Sequence, residues 1–109
     1  MELPFCVYIL ISQKDFLLYI GYTSNLKRRL EEHNDGRNLS TSFRRPWVCI
    51  FAEYYLFEED ARKREGYFKT TMGKKAIRLM LKSTLLKMGY RANSMQALKI
   101  DYDSSDVKK

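Results

Sequence analysis

The stretch LLYIGYTSNLKRRLEEH, residues 17–33, changes period part-way along. Leu17 to Tyr22 reads as a strand. After it, Thr23 or Ser24 is placed to cap a helix over residues 25–35, and Gly36 is placed to end that helix. Upstream, Phe5 to Ser12 is apolar and rich in β-branched residues, so it reads as another strand. Only the short polar turn Gln13-Lys14-Asp15 separates the two runs, so the pair is expected to form a hairpin.

The rest of the chain extends this frame. Residues 37–46 are polar and basic and end in Pro46, as a loop would. Trp47 to Phe57 reads as a third strand. Glu58, Glu59 and Asp60 put negative charge where a helix N-terminus favours it, and that helix is expected to run to about Thr70. Gly73 is read as a break, a third helix covers about 75–88, and Gly89 ends it. The expected fold class is α+β: a small three-stranded, mainly antiparallel sheet flanked by helices, in the order β-β-α-β-α-α. Residues 1–88 are expected to form one domain. Residues 89–109 are read as a C-terminal extension, partly disordered.

Helical geometry then isolates a few polar residues. With Leu26 at zero, Leu30 sits at about +40°, Arg29 at about −60° and His33 at about −20°, while Arg28 falls near 200° on the far side. Arg29 and His33 therefore share the leucine face. Taken singly, Arg29 reads as a side chain snorkelling at the edge of the stripe and His33 as a satisfied imidazole. Their pairing on one face weakens both readings. On the next helix, with Ala61 at zero, Glu65 lies near +40° and Phe68 near −20°. A carboxylate on an apolar face is costly unless paired or bound to a metal. Two explanations stay open for Glu65: an ion pair with an arginine such as Arg29, or a metal site. In the hairpin, Tyr8 and Tyr19 can lie on one face as near cross-strand neighbours, where packing is the ordinary role of strand tyrosines.

Charge points to a polyanion partner. The net charge of the 109 residues is +7. Residues 62–91 hold ten Lys or Arg and one acidic residue, Glu65, whereas residues 46–61 hold four acidic residues and no basic one. A basic half suits nucleic acid or an acidic membrane surface, and equally a solvated helix that aids solubility. At 45% hydrophobic residues, disorder of the whole chain is not expected. The two cysteines, Cys6 and Cys49, sit in apolar runs and read as buried free thiols of a reducing compartment, hence a cytoplasmic location. Two distant cysteines and one histidine do not make a structural zinc site. The longest apolar run, Phe5 to Ile11, is far short of a membrane span and has none of the flanks of a signal peptide.

The residues so isolated match a known pattern. Val7-Tyr8-Ile9, a gap of nine residues, then Tyr19-Ile20-Gly21 resembles the paired tripeptides of the GIY-YIG nuclease family. The segment from Tyr19 to Asn34, the basic segment from Ser40 to Pro46 and the segment Ala61 to Glu65 follow in the family's order. The resemblance spans roughly residues 5–82 and is closest to small single-domain bacterial members similar to the excision-repair endonuclease. The first tripeptide's glycine is replaced by Cys6-Val7, and the asparagine some members carry after the glutamate has no counterpart between Thr70 and Lys75.

The resemblance implies a metal-dependent endonuclease that hydrolyses phosphodiester bonds in DNA, structure-guided or weakly sequence-specific, in DNA repair or recombination. It places the catalytic set on Tyr8, Tyr19, Arg29, His33 and Glu65. Glu65 would hold Mg²⁺ or Mn²⁺ as a Lewis acid near the leaving 3′ oxygen. Arg29 would present its donor fork to the phosphate, and Tyr8, its pKa lowered from about 10, would be the base. Tyr19 and His33 would orient water or phosphate. Arg37, Arg44, Arg45, Arg62, Lys63, Lys69, Lys74 and Lys75 would track the backbone without reading sequence. Trp47 either stacks on bases or, as strand aromatics more often do, packs in the core. The expected partners are DNA, with RNA not set aside, and a protein that supplies targeting, with the chain a monomer or weak homodimer and no membrane contact. Two competing readings are a nucleic-acid-binding module that does not cut and a partner-binding module that dimerises through the apolar third helix.

Overall fold

The computed structural model describes residues 2–91. Its elements are β1 (Phe5–Ser12), β2 (Leu18–Thr23), α1 (Leu26–Asp35), α2 (Leu39–Ser42), β3 (Trp47–Tyr55), α3 (Glu58–Phe68), α4 (Thr71–Met80) and α5 (Lys82–Lys87). This is the expected α+β order, with a single helical turn added in the basic loop and the last helix divided at Leu81. The expectation of a partly disordered tail concerns residues that, from 92 onward, lie outside those described. Residues 90 and 91 are held: Tyr90 N–H donates to Leu85 O at 2.9 Å and Arg91 N–H to Phe16 O at 3.0 Å.

The most apolar strand is the central one. The sheet order is β2-β1-β3, and both pairings are antiparallel. Strand β1 is buried on both faces from Cys6 to Ser12, which explains its nearly continuous apolar run. Alternate β1 residues then serve two cores. Val7 and Ile9 join Ile20, Ala61, Phe68 and Ile77 beneath α3 and α4, while Cys6, Tyr8 and Leu10 join Trp47, with Tyr19, Leu26 and Leu30 packed against them beneath α1. A bulge between Ile9 and Leu10 leaves Ile50 unpaired and shifts β3 by one residue. Trp47 is thereby a core residue, as the packing alternative held. Cys6 is buried and Cys49 half-buried, and both are free thiols.

The hairpin turn is held by short polar side chains. Ser12 Oγ accepts the N–H groups of Lys14 and Asp15 and donates to Arg44 O at 2.6 Å. Asp15 pairs with Arg44 at 2.6 Å. Helix α1 begins one residue later than the Thr23 or Ser24 cap would place it. Asn25 Oδ1 accepts the N–H of Arg28, while Thr23 Oγ1 accepts the N–H of Asn25 and shapes the approach. Gly36 closes the helix at φ 80°.

Gly73 does not break a helix. Helix α3 stops at Phe68, Thr70 caps α4 by accepting the N–H of Gly73, and Gly73 lies buried in the first turn. A Cβ there would fall 1.8 Å from the carbonyl oxygen of Tyr67. The glycine is required by the close approach of two helices joined through a two-residue corner. Ile77 and Leu85 are buried, but Leu79 and Leu86 remain 79% and 75% exposed, so the apolar excess of this region faces outward. Gly73→Ala is expected to destabilise the fold by at least about 2 kcal/mol, because backbone cannot yield as a side chain can; urea unfolding of the two proteins measures it.

Candidate active site

The site is organised by the Tyr8 hydroxyl. Tyr8 sits on the central strand opposite Gly21, and its side chain runs beneath that glycine. A Cβ on Gly21 would lie 2.4 Å from both the ring Cζ and the hydroxyl oxygen. Gly21 is thus needed for space, with no unusual backbone angle.

Helix α1 supplies the next two groups. Its axis places Arg29 and His33 one turn apart on the face toward the sheet, as the angles required. His33 is fully buried, and its Nε2 lies 3.0 Å from Tyr8 Oη. Its Nδ1 lies 2.9 Å from Thr41 Oγ1, on the one-turn helix α2. The Arg29 guanidinium hydrogen-bonds Glu32 at 2.9 Å and lies close enough to Tyr8 to favour its ionised form. The Tyr19 ring packs against His33 at 5.1 Å and against Trp47 at 5.9 Å between centroids. Leu10 is its direct cross-strand partner, so it is a diagonal neighbour of Tyr8.

Electrostatics set the resting protonation state. Burial pushes the Tyr8 phenol well above its ordinary value, more than Arg29 lowers it, and the Glu65 carboxylate opposes ionisation further. The expectation of a lowered Tyr8 pKa does not hold for the site at rest. Burial and the Arg29 charge push His33 down to about 4, against a smaller opposing effect of Glu32. Near neutral pH, Tyr8 therefore carries its proton and His33 is uncharged.

Comparison with known proteins identifies the family. A family model described as the GIY-YIG catalytic domain matches residues 4–78. The chain belongs to the GIY-YIG family. This is a family of nucleases, and the general reaction class follows. The chain is 39% identical to the UPF0213 protein YazA of Bacillus subtilis over 69 residues, 62% of this chain and 70% of that protein. It is 35% identical to the UPF0213 protein SH2523 of Staphylococcus haemolyticus over 75 residues, 68% of this chain and 90% of that protein. A UPF0213 protein of Staphylococcus aureus strain Mu3 is 37% identical over a stretch of the same length, with the same coverage of both chains. No solved structure matches significantly.

The GIY-YIG domain brings Tyr8, Tyr19, Arg29 and His33 together, and places Glu65 close enough to act on Tyr8. Glu65 does not pair with Arg29. Its carboxylate, with a side chain 23% exposed, holds Lys69 Nζ at 3.0 Å. Among the described residues no three His, Cys, Asp or Glu side chains gather as a metal cage. A single carboxylate that already draws a cation fits an ion such as Mg²⁺, which keeps several waters and takes its other ligands from a phosphate.

The basic residues divide. Arg37, Arg45, Arg62, Lys63 and Lys75 are exposed. Arg37 pairs with Asp35 at 2.7 Å and Arg62 with Glu58 at 3.0 Å, while Arg45 Nε donates to Ser42 O. Arg44 is built into the fold, bonded to Asp15 and lying 4.7 Å over the Trp47 ring. Lys69 serves Glu65. Lys74 is 5% exposed, so it does not present a charge to a backbone in solvent. Helix α4 begins at Thr71, and Lys74 is among the residues of its first turn that face inward.

Sequence reasoning missed Thr41, Gly21 and Asn34. Asn34 brackets the start of β3, its Oδ1 accepting Trp47 N–H at 2.7 Å and its Nδ2 donating to Trp47 O at 3.1 Å. Thr41 lay inside a segment read as a basic loop, where no period marks an inward side chain.

The buried imidazole makes stability depend on pH. His33 titrates near 4 folded and at its ordinary 6.5 unfolded, so between these values the unfolded chain binds more protons. Stability from this group is intact above pH 6.5 and declines as pH falls toward 4, by about 3 kcal/mol in all. The fall in unfolding free energy between pH 7 and pH 4 is expected to be larger for wild type than for His33→Gln by that amount.

Proposed function

We propose that this chain is a divalent-metal-dependent endonuclease that hydrolyses phosphodiester bonds in DNA, guided by strand structure more than by base sequence. The observation that carries the reading is the buried pair formed by the Tyr8 hydroxyl and His33 Nε2, flanked by Arg29 on one side and Glu65 on another. A structural role alone would not need a buried phenol and imidazole hydrogen-bonded to each other beside a half-buried guanidinium.

The residues divide the work as follows. Arg29, with a planar donor fork, binds the non-bridging oxygens of the scissile phosphate and opposes their developing charge. The attacking water gives its proton to Tyr8 Oη as Tyr8 passes its own proton to His33 Nε2. The water oxygen bonds to phosphorus, the bond to the leaving oxygen breaks with its electron pair going to that oxygen, and the leaving oxygen takes up a proton from solvent. That transfer is unfavourable at rest, because Tyr8 is pushed up and His33 down. The negative phosphate, once beside the site, favours the imidazolium that results. Glu65 would hold Mg²⁺ or Mn²⁺, which when bound supplies Lewis-acid stabilisation of the phosphate and the leaving oxygen. The Tyr19 ring walls the pocket against His33 and Trp47, fixing the imidazole plane.

Exposed Arg37, Arg45, Arg62, Lys63 and Lys75 are the candidates for backbone contacts. None of the described helices presents a row of base-reading side chains, so affinity is expected to be electrostatic and salt-sensitive. A role in DNA repair or recombination, with a partner protein supplying the target, suits an enzyme of this kind.

A cleavage panel tests the proposal. Single-stranded, nicked, flapped and branched DNA and matched RNA are incubated with Mg²⁺ or Mn²⁺ and wild type, Glu65→Gln or Arg29→Ala. Each substitution is expected to lower cleavage by about 10²–10³-fold with folding intact, and chelation to abolish it. Cutting that survives Glu65→Gln unchanged, or no cutting of any substrate with either metal, overturns the reading.

A further inference from the structure

His33 is fully buried and uses both ring nitrogens, so its tautomer can be worked out from either end. A neutral imidazole has one N–H donor and one acceptor nitrogen. At one end stands Tyr8, with the Arg29 guanidinium beside it. A guanidinium only donates, so it cannot take the Tyr8 proton. The acceptor within reach is His33 Nε2, 3.0 Å away. Nε2 must be the bare nitrogen.

At the other end stands Thr41. Its hydroxyl lies 3.3 Å from the carbonyl oxygen of Asn38, three residues back, which it can donate to as threonines in a first helical turn do. A hydroxyl has one proton, so toward His33 Nδ1, 2.9 Å away, Thr41 presents a lone pair. Nδ1 must carry the hydrogen. The two ends give the same answer independently. The proton order runs from Tyr8 Oη–H to Nε2, from Nδ1–H to Thr41 Oγ1, and from Thr41 Oγ1–H to Asn38 O.

Thr41 is held for this task from several sides. It is buried at 1% exposure. Its N–H donates to Asn38 O at 3.1 Å, and its carbonyl accepts the indole N–H of Trp47 at 3.1 Å. Asn38 caps the turn by accepting the N–H of Ser40. Asn34 in turn brackets Trp47. The four-residue helix α2 thus has its inward side committed to one hydroxyl position, while Leu39 and Phe43 on its other side point to solvent.

We propose that Thr41 is a positioning residue: its hydroxyl holds His33 in the Nδ1–H tautomer, leaving Nε2 bare to take the Tyr8 proton. The consequence for cleavage rests on the nuclease reading above, but the tautomer does not. Without the Thr41 oxygen, a buried Nδ1–H would have no partner, and the imidazole would move its hydrogen to Nε2. Tyr8 would then face a donor on each side, with nowhere to send its proton.

The chain has one histidine, so its ring nitrogens can be read without ambiguity in the full-length protein. The test is long-range ¹H–¹⁵N correlation of His33 without substrate in wild type, Thr41→Val and Thr41→Ser, with kcat and KM for cleavage measured alongside. Wild type and the serine variant are expected to show a protonated Nδ1 and a bare Nε2, and the valine variant an Nε2–H or mixed state. The valine variant should lose about 10–100-fold in kcat with KM little changed, as expected for a group acting through another, and serine should restore it. A wild-type Nε2–H tautomer overturns the proposal, as does a valine variant that keeps the wild-type tautomer. If valine prevents folding, the wild-type and serine spectra still decide. A tautomer switch in the valine variant with no cleavage by any form would uphold the Thr41 assignment and overturn the nuclease reading.

Discussion

Everything in this fold is arranged around one phenol hydroxyl brought inside a three-stranded sheet. Tyr8 lies on the central strand, is 1% exposed and is among the largest side chains wholly inside the protein. A buried hydroxyl must find partners, and three other elements converge to provide them. Strand β2 contributes an absence, because any side chain at Gly21 would collide with the ring. Helix α1 contributes a donor and an acceptor one turn apart. The loop after α1 returns through α2 to fix the far side of the imidazole. Had the hydroxyl been placed at the surface, none of these constraints would be needed, and α2 would have no reason to be helical.

Which of these features could be read from the sequence follows from periodicity. Arg29, His33 and Glu65 stood out because each is a polar residue at an angle where an apolar one belongs, and that comparison needs a helix with a visible stripe. The Tyr8–Tyr19 relation was legible because a hairpin with a short turn leaves few registers. Thr41 was not legible, since a one-turn helix inside a polar loop has no period against which an inward threonine could be out of place. Lys74 was misplaced for a related reason. The α3–α4 corner is set by the clearance between Gly73 and the Tyr67 carbonyl, a tertiary distance that a sequence pattern does not contain. Gly73 read as a helix breaker by propensity, but tertiary packing decided its position.

The charge excess also changes meaning once the side chains are placed. Arg29, Arg44, Arg64 and Lys69 are held by Glu32, Asp15, Glu53 and Glu65. Arg64 also lies 4.4 Å over the Phe68 ring, so it covers the core as well as carrying charge. Part of the basic surplus in residues 62–91 is therefore structural. The cations that remain exposed are spread over several elements, a distribution suited to contacts with a charged backbone that carry no sequence information.

The same placement explains why the resting site is quiet. Its geometry is prepared, but its charges are not. Glu65 is neutralised by Lys69 and Arg29 by Glu32, while Tyr8 and His33 sit in the protonation states that burial favours. On the proposed nuclease reading, an incoming phosphodiester would shift these balances. It would offer Arg29 a second anion. It would also bring to the buried imidazole a negative charge that stabilises the protonated form. A site of this kind holds its proton chain in readiness without a free phenolate in the absence of substrate. On that reading, burial of Tyr8 and His33, which works against proton transfer at rest, would make the transfer conditional on the arrival of the anion to be cut.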